Sequence, residues 1–520
     1  MLTADPHSEA PSGGTEAQKS LTDEVEEYVS SLLGRYTPHD IKEPKVIHDP
    51  ILGSNIFKPY EVALIDLPFC QRLRRISQTD VASLVYPSAN HNRLEHSLGV
   101  AAIAGKILDS LKRDPDLTNL IQLPAEIEVR FAAILHDIGT GPFSHLSEEV
   151  FADFPEVEQY RLSHKGKFSP KSPHEMLGHL IIKSPSFKEF FTEQIVGKYK
   201  LGEIEPKRIA ELIIPAGGKN KLNKWKADII NGPFDADKFD YLQRDAYFSG
   251  LRLGIDLDRF LYCVWLDPQP NGPRQLKIMT SGATTLEQIL FAKLLLYNSV
   301  YHHQKIRAAE CALRGIFEIL NDHPDNPEYQ IQNRKMNRAI DFLYVTEEDI
   351  LSLDDKPEEL KVYIQQFLDR QLFKRALVIS DDTVVDPKVS TGYFEFKLLA
   401  EKPNELRELR RKLVESLNGK YPIYEIWIDL PETLEFQDAS RAVIQDKGGE
   451  PRYLSKYEGG IFRVDEWLTA YGSNKWKGYV FCPAGEAVRK EVGERAAELI
   501  SDKYHFSFKM PEATNQAKIR

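Results

Sequence analysis

The chain has 520 residues, 42% of them hydrophobic and 28% charged, with a formal net charge of -11. That length can bury a core large enough for two lobes, and the acidic balance speaks against a protein that coats nucleic acid through bulk electrostatics, though it leaves room for a locally basic pocket. No apolar run reaches the roughly eighteen residues of a membrane span, no signal-like start points to export, and the four scattered cysteines (Cys70, Cys263, Cys311, Cys482) lack paired metal spacing; the expected setting is a reducing cytoplasm, or the nucleus of a eukaryote.

In chain order, residues 1 to about 20 read as a disordered tail rich in Ser, Gly and Pro. An amphipathic helix follows from Leu21 to Leu33, with Val25, Val29, Leu32 and Leu33 to one side. From Lys45 to Leu320 the pattern is helical, with helices expected over Phe69 to Ser77, Arg93 to Leu111, Ile127 to Ile138, Pro173 to Ile182, Pro206 to Pro215 and Thr285 to Leu320. Beyond Leu320 the texture is mixed. Arg375 to Ser380, Tyr393 to Leu398, Tyr424 to Ile428 and Gly478 to Cys482 read as strands, and Pro403 to Leu417 and Ala484 to Tyr504 as helices. The expected fold is therefore mainly α: a tail and short helix over 1–44, an all-helical lobe over 45–320, and a smaller α/β lobe over 321–520.

Four segments of the helical lobe carry residues suited to chemistry. His96, the adjacent pair His136 and Asp137, and Asp237 offer two imidazoles and two carboxylates. Such a mixed nitrogen and oxygen set suits a divalent transition metal and leaves coordination positions for water and phosphate oxygens. His136 and Asp137 end an apolar run stopped by Gly139, and ionisable groups there are costly to bury unless something pairs with them; a hydrogen-bonded or capping pair would also answer that cost. Arg93 lies three residues before His96 and shares its helix face, as a phosphate site beside a Lewis acid requires, although Glu95 offers it a surface partner instead. His145 and Glu148 are likewise three apart, so the carboxylate can brace the imidazole for proton transfer, and His174, at a helix start, offers a second imidazole. The alternative for both is a satisfied structural histidine. Between Asn231 and Asp245, Asp237, Tyr241, Arg244 and Asp245 fall on about one helix face with Lys238 alongside. That supplies a carboxylate for metal, a lysine for phosphate and a tyrosine–aspartate pair for a sugar, or else a solvated acidic face.

Taken together, the strings His91-Asn-Arg-Leu-Glu-His-Ser-Leu-Gly-Val100, His136-Asp-Ile-Gly-Thr-Gly-Pro-Phe-Ser-His145 and Asp235-Ala-Asp-Lys-Phe-Asp-Tyr-Leu-Gln-Arg-Asp245 resemble the HD-domain metal-dependent phosphohydrolases, and among them the deoxynucleoside triphosphate (dNTP) triphosphohydrolases. The likeness runs from about Lys45 to Lys305 and is looser in the α/β lobe. It implies metal ligands at His96, His136, Asp137 and Asp237, phosphate contacts at Arg93 and Lys238 with Tyr241 beside them, and acid/base residues at His145, Glu148 and His174. It also implies a sugar-reading Asp245, a sugar- and base-proximal Gln78, and Tyr301 packed on the deoxyribose so as to exclude a 2′-hydroxyl. Lys45, Asp66, Gln71 and Arg74 match the family's guanine-nucleotide activator site, and Asp256 and Arg259 part of its neighbour; the Gln71–Arg74 string equally reads as a plain amphipathic helix.

The chain departs from the family pattern at several points. Thr140 stands where vertebrate members have a histidine and some bacterial ones an asparagine. Tyr297 and Lys293 replace a histidine and an arginine of the nucleotide pocket, His48 replaces an asparagine, and the basic pair expected before Tyr301 is missing around Lys277 to Ser281. The implied activity is hydrolysis of a dNTP to deoxynucleoside and inorganic triphosphate. It would use a divalent ion (Mn, Fe, Zn or Mg) at the HD site and Mg with the nucleotide, with GTP or dNTP activation and assembly into a homodimer or homotetramer, in dNTP homeostasis or phage defence. The alternatives are another phosphohydrolase on the same core (nucleotidase, phosphodiesterase, or a nuclease, which would need a basic track) or a catalytically weak nucleotide-binding switch.

Overall fold

The computed structural model describes residues 19–514 apart from 165–167, 169–171, 215–222, 267–273, 433–441, 458–465, 467–475 and 511. Most of the expected disordered tail, and the Pro215 end of one expected helix, lie outside the described residues. The helix Leu21–Arg35 starts at Ser20, whose hydroxyl accepts the Asp23 N–H at 3.3 Å, and it buries Leu21, Val25, Tyr28 and Val29. Tyr28 donates to the Leu343 carbonyl at 3.2 Å, 315 positions along the chain, so the first helix is clamped by a segment that follows the expected lobe boundary.

The mainly α architecture holds, with two additions to the lobe that was expected to be all helical: a hairpin near its start, and the strands Val264–Leu266 and Leu276–Ile278, which pair antiparallel and are extended by Val443–Ile444 and Arg452–Tyr453 into a four-stranded sheet. Lys45–Asp49 and Gly53–Phe57 form an antiparallel hairpin with Val46 opposite Ile56. Asp49 closes its turn by accepting the N–H groups of Ile51 and Leu52, both at 2.8 Å, the local bonding that draws Asp into turns. The helix expected over Phe69 to Ser77 is shorter, Pro68–Arg72 followed by a tight turn over Leu73–Arg75, because Ser77 pairs in extended conformation with Asn92. The long helix expected from Thr285 to Leu320 is two helices, Ala283–Leu296 and Gln304–Asp322. Between them the Tyr297–Tyr301 turn widens, and the His302 N–H reaches the Tyr297 carbonyl five residues back at 2.7 Å, the geometry of a π-bulge.

In the C-terminal part, Lys374–Ile379, Gly478–Cys482 and Trp427–Asp429 make a three-stranded antiparallel sheet with Gly478–Cys482 in the centre. Helices Pro403–Ser416 and Glu486–Tyr504 contribute Leu409, Leu413, Val492 and Ile500 to its core. The strand expected over Tyr393 to Leu398 is instead the helix Thr391–Lys397, begun by Ser390, which accepts the Tyr393 N–H at 3.2 Å. Alternation would have put Phe394 with Phe396 on one face. The helical period instead buries Tyr393 with Phe396 and leaves Phe394 62% exposed.

The larger hydrophobic core runs past position 320 through Phe342, Ile350, Leu360 and Phe367. Phe342 sits against Phe151, Phe154 and Phe317, at centroid distances of 5.2, 6.2 and 5.7 Å, so it joins the later helices to the segment that carries His145. Phe342→Ala is expected to lower stability by about 3–5 kcal/mol through the cavity it leaves, measured by denaturant unfolding.

Candidate active site

Three helices meet at the proposed metal ligands. Asn92 caps Arg93–Leu111 by accepting the N–H groups of Leu94 and Glu95 at 3.1 Å, which places Arg93 and His96 in the first turn. Leu123–Leu135 ends directly before His136 and Asp137. Asp235 caps Ala236–Ser249 by accepting the Lys238 N–H at 2.7 Å, which sets Asp237 at the helix entrance.

His96 Nε2 lies 2.9 Å from Asp237 Oδ1 and 3.3 Å from His136 Nε2. Asp137 comes within 3.5 Å of His136 Nε2 and 3.9 Å of His96 Nε2. Each imidazole is oriented from behind. His136 Nδ1 donates to the Ala133 carbonyl at 2.8 Å, and His96 Nδ1 to Asp240 Oδ2 at 2.8 Å. With both Nδ1 atoms donating, both Nε2 lone pairs face the same space, the tautomer a metal ligand needs. The donor set therefore fits a divalent ion, and His96, His136 and Asp237 are close enough together to share one. Burial works against charging His96, yet the Asp237 and Asp240 carboxylates raise its pKa to about 10; a divalent cation would compete with that proton for the same negative charge.

Asp240, absent from the sequence assignments, is the inner link of a chain of ion pairs. Its two oxygens accept from Arg244 Nε and Nη2 at 2.7 and 2.8 Å, and Arg244 Nη2 also reaches Asp49 of the hairpin at 2.7 Å. Gly99 leaves the space: a Cβ there would stand 1.9 Å from Asp240 Oδ1.

The second cluster adjoins the first. His174 Nδ1 donates to Glu148 Oε2 at 2.7 Å, His145 Nδ1 lies 3.4 Å from Glu148 Oε1, and His174 Nε2 is 3.8 Å from Asp137 Oδ1. Glu148 thus faces both histidines and binds His174 more closely than the His145 with which its spacing paired it. Gly139 permits this approach, since a Cβ there would stand 2.1 Å from the His174 carbonyl oxygen. Burial disfavours charge on His174, but Glu148 outweighs it and lifts the pKa to about 9. Burial likewise pushes Glu148 up, and the two histidines bring it down to about 2. Arg93 joins the clusters: Nη1 donates to Asp137 Oδ2 at 2.9 Å, Nε to Ser144 Oγ at 2.8 Å, and Nη2 lies 3.4 Å from His145 Nε2.

Around Asp245, His91 Nε2 donates to Oδ1 at 2.7 Å and the Tyr301 hydroxyl donates to Oδ2, while His91 stacks on Phe248 at 4.5 Å. His91 went unassigned in the sequence although it heads the His91-Asn-Arg string; its neighbour at the other end, 154 residues on, gives no local signal. The Gln78 backbone N–H donates to the His91 carbonyl at 3.0 Å and its side-chain oxygen is buried without a protein partner. Tyr241 and Tyr297 line the same region, with Tyr297 edge-on to Tyr301 at 5.1 Å and Lys293 5.8 Å from the Tyr297 ring. Lys238, expected on phosphate, has its ammonium on Asp235 Oδ2 at 2.7 Å and the Gly232 carbonyl at 3.0 Å. Thr140 is buried, its hydroxyl without a hydrogen-bond partner.

The residues matched to activator sites fall into local contacts. Lys45 lies 3.8 Å from Asp66, and Arg74 donates to Gln71 at 2.8 Å. Asp256 accepts the Arg259 N–H at 2.9 Å, and the Arg259 side chain reaches the Ser281 carbonyl at 3.0 Å. Among the described residues no helix is long and apolar enough to cross a membrane.

Residues 93–245 match the HD domain and residues 255–501 the HD associated region. The chain belongs to the HD-domain family. The uncharacterized protein YwfO of Bacillus subtilis is 30% identical over 357 residues, 65% of this chain and 73% of that protein. The deoxynucleoside triphosphate triphosphohydrolase SAMHD1 of Danio rerio is 27% identical over 369 residues, 66% of this chain and 57% of that one. A crystal structure of a phosphohydrolase from Bacteroides thetaiotaomicron shares the fold with a TM-score of 0.58 at 20% identity, covering 85% of this chain and 100% of that one. The chain spans 57% to 63% of the length of three curated relatives that it matches.

Removing the support behind a ligand is expected to weaken metal binding. Asp240→Asn should lower affinity for Mn2+ by about 10- to 100-fold, read by competition titration with a chelating dye.

Proposed function

We propose that the chain hydrolyses dNTPs at the α-phosphorus, giving a deoxynucleoside and inorganic triphosphate. The observation that carries this is Arg93, whose guanidinium touches both the metal-ligand carboxylate Asp137 and the histidine His145. A phosphate bound there would meet a fixed cation, a Lewis acid and a proton donor at once. A divalent ion held by His96, His136, Asp137 and Asp237 would polarise the α-phosphate and supply an activated water. Arg93 offsets charge growing on the phosphate oxygens. His145, braced through Glu148, gives a proton to the departing 5′-oxygen, and His174 on the same carboxylate is placed to exchange roles with it. Asp245, fixed by His91 and Tyr301, would accept a sugar hydroxyl, while Tyr301 would pack on the deoxyribose and exclude a 2′-hydroxyl, with Tyr241 beside the phosphate contacts.

The activity named for the Danio rerio relative supports this choice of substrate over other phosphoesters. The resemblance of the sequence motifs further implies Mg2+ accompanying the triphosphate, activation by GTP or a dNTP at Lys45, Asp66, Gln71 and Arg74 with Asp256 and Arg259, and a homo-oligomer, and we include these in the proposal. Lys238 would exchange Asp235 for phosphate when a triphosphate binds.

Purified protein given each dNTP with Mn2+ or Mg2+, with and without GTP, is expected to yield deoxynucleoside and intact triphosphate on ion exchange. Pyrophosphate or orthophosphate as the first product would place cleavage at an anhydride bond of the triphosphate and overturn this reaction, and no turnover of any dNTP would point to another phosphoester. His145→Ala should cost about 10²- to 10⁴-fold in kcat as a lost proton donor, and near-normal turnover would remove His145 from that role.

The pH dependence follows from the Glu148 pairing. His174, raised from 6.5 to about 9, keeps its proton through neutrality and loses it as pH rises past 9. Glu148, lowered from 4.5 to about 2, stays ionised down to acid pH. The pairing therefore contributes full stability between about 4.5 and 6.5, fading as pH climbs through 9 or falls through 2. Because Glu148 raises both His145 and His174, Glu148→Gln is expected to move the alkaline limb of the kcat profile to lower pH; an unmoved limb would assign that limb to another group.

A further inference from the structure

The turn that delivers His145 to the site is held in an uncommon conformation. Phe143 and Ser144, two consecutive non-glycine residues, have φ of 58° and 47°, a region such residues occupy only when the surroundings enforce it. Ser144 matters chemically, because its hydroxyl accepts from Arg93 Nε and donates to the Ser77 carbonyl. Ser77 in turn leads into Gln78, and its neighbour Ile76 accepts the Arg93 N–H at 2.9 Å. Two separate stretches of backbone must therefore stay in register for Arg93 to face both Asp137 and His145.

One carboxylate spans both stretches. Glu347 Oε1 accepts the Ser77 N–H at 2.7 Å and the Phe143 N–H at 3.0 Å, and its Oε2 accepts the Ser77 hydroxyl at 2.7 Å. Glu347 opens the helix Glu347–Leu351, whose start is locked by Thr346 and Asp349: the Thr346 N–H and hydroxyl both donate to Asp349 Oδ2 at 2.7 Å. Aromatic packing of Phe143 on Phe317, and of Phe317 on Phe342, places that later segment beneath the turn.

We infer that Glu347 is a positioning residue for the phosphate end of the site, setting Arg93 and His145 by tying the Ser77 backbone to the Phe143–Ser144 turn. This rests on the phosphohydrolase reading of Arg93 and His145. The hydrogen bonds of Glu347 go to Ser77 and Phe143 and to none of the proposed metal ligands, and it lies well beyond residues 93–245, where the HD domain is matched. What the turn needs from it is acceptor geometry. A glutamine keeps an oxygen for both backbone N–H groups and can donate to the Ser77 hydroxyl, whereas an aspartate is one methylene short and an alanine orphans two N–H groups.

The test compares E347A, E347D and E347Q in the full chain by two readouts. In turnover of the substrate on which the wild type acts, E347A and E347D should lose about 10²-fold in kcat, the scale of a misplacement near 1 Å, with bound Mn2+ unchanged. E347Q should recover most of the rate with an unshifted pH profile. In hydrogen exchange followed by mass spectrometry, residues 76–80 and 141–147 should exchange faster in E347A and E347D and as wild type in E347Q, while the Arg93–Leu111 and Leu123–Leu135 helices stay protected in all three. Wild-type kcat in E347A, equal loss in E347A and E347Q, or unchanged exchange in both segments would overturn the inference. If no dNTP is turned over by the wild type, the substrate reading fails, yet the exchange comparison still decides the role of Glu347. If E347A does not fold, E347D against E347Q carries the same comparison.

Discussion

Asp137 is a carboxylate buried to 2% exposure, and the rest of the site is arranged around keeping it charged. A lone ionised carboxylate in that position would either cost several kcal/mol or take up a proton. Here Arg93 and His174 approach it from two other helices at 2.9 and 3.8 Å, its chain neighbour His136 lies at 3.5 Å, and together they hold its pKa well below the usual range against the effect of burial. Because Arg93 and His174 come from different helices, the carboxylate fixes how the helices converge. Gly139 follows from the same constraint, because the backbone at His174 and Gly178 passes too close for a side chain there, whereas Gly99 leaves room for the Asp240 and Arg244 side chains behind His96.

Much of the helical lobe was legible in the sequence because its periodicity is long and its caps are local: the helix beginning at Arg93 starts and ends at the residues its pattern indicates. The residues of the two clusters could be singled out because their types are unusual in apolar surroundings. What supports them could not. Asp240 faces His96 across 144 positions and His91 faces Asp245 across 154, and no spacing rule links such pairs. The Tyr393 to Leu398 stretch misled for a different reason: a short apolar run satisfies both periods, and tertiary packing chooses between them. The widened turn at Tyr297–Tyr301 has no Gly or Pro to announce it.

The C-terminal part is bound to the helical part by charge as well as by apolar contact. Asp429, on a sheet strand, receives Arg307 Nε at 2.9 Å and lies 3.4 Å from Arg314 Nη1; Arg314 also pairs with Glu149. Glu149 is the immediate neighbour of Glu148, so the sheet is two ion pairs away from the carboxylate that serves both histidines. The buried pairs on Asp429 add little net stability but penalise any arrangement that leaves one member alone. They favour a single docking of the sheet on the helices over several near-equivalent ones.

His136 owes its orientation to the end of a helix. The last carbonyls of a helix have no partner within it, and the one at Ala133 takes the His136 Nδ1 proton. Its bearing on the metal position is therefore inherited from the phase of the Leu123–Leu135 helix, with no additional side chain recruited to steer it. One residue inserted in that helix would swing His136 about 100° around the axis. The helix is thus a ruler whose length can change only by whole turns, and drift in this stretch of sequence is confined to substitution.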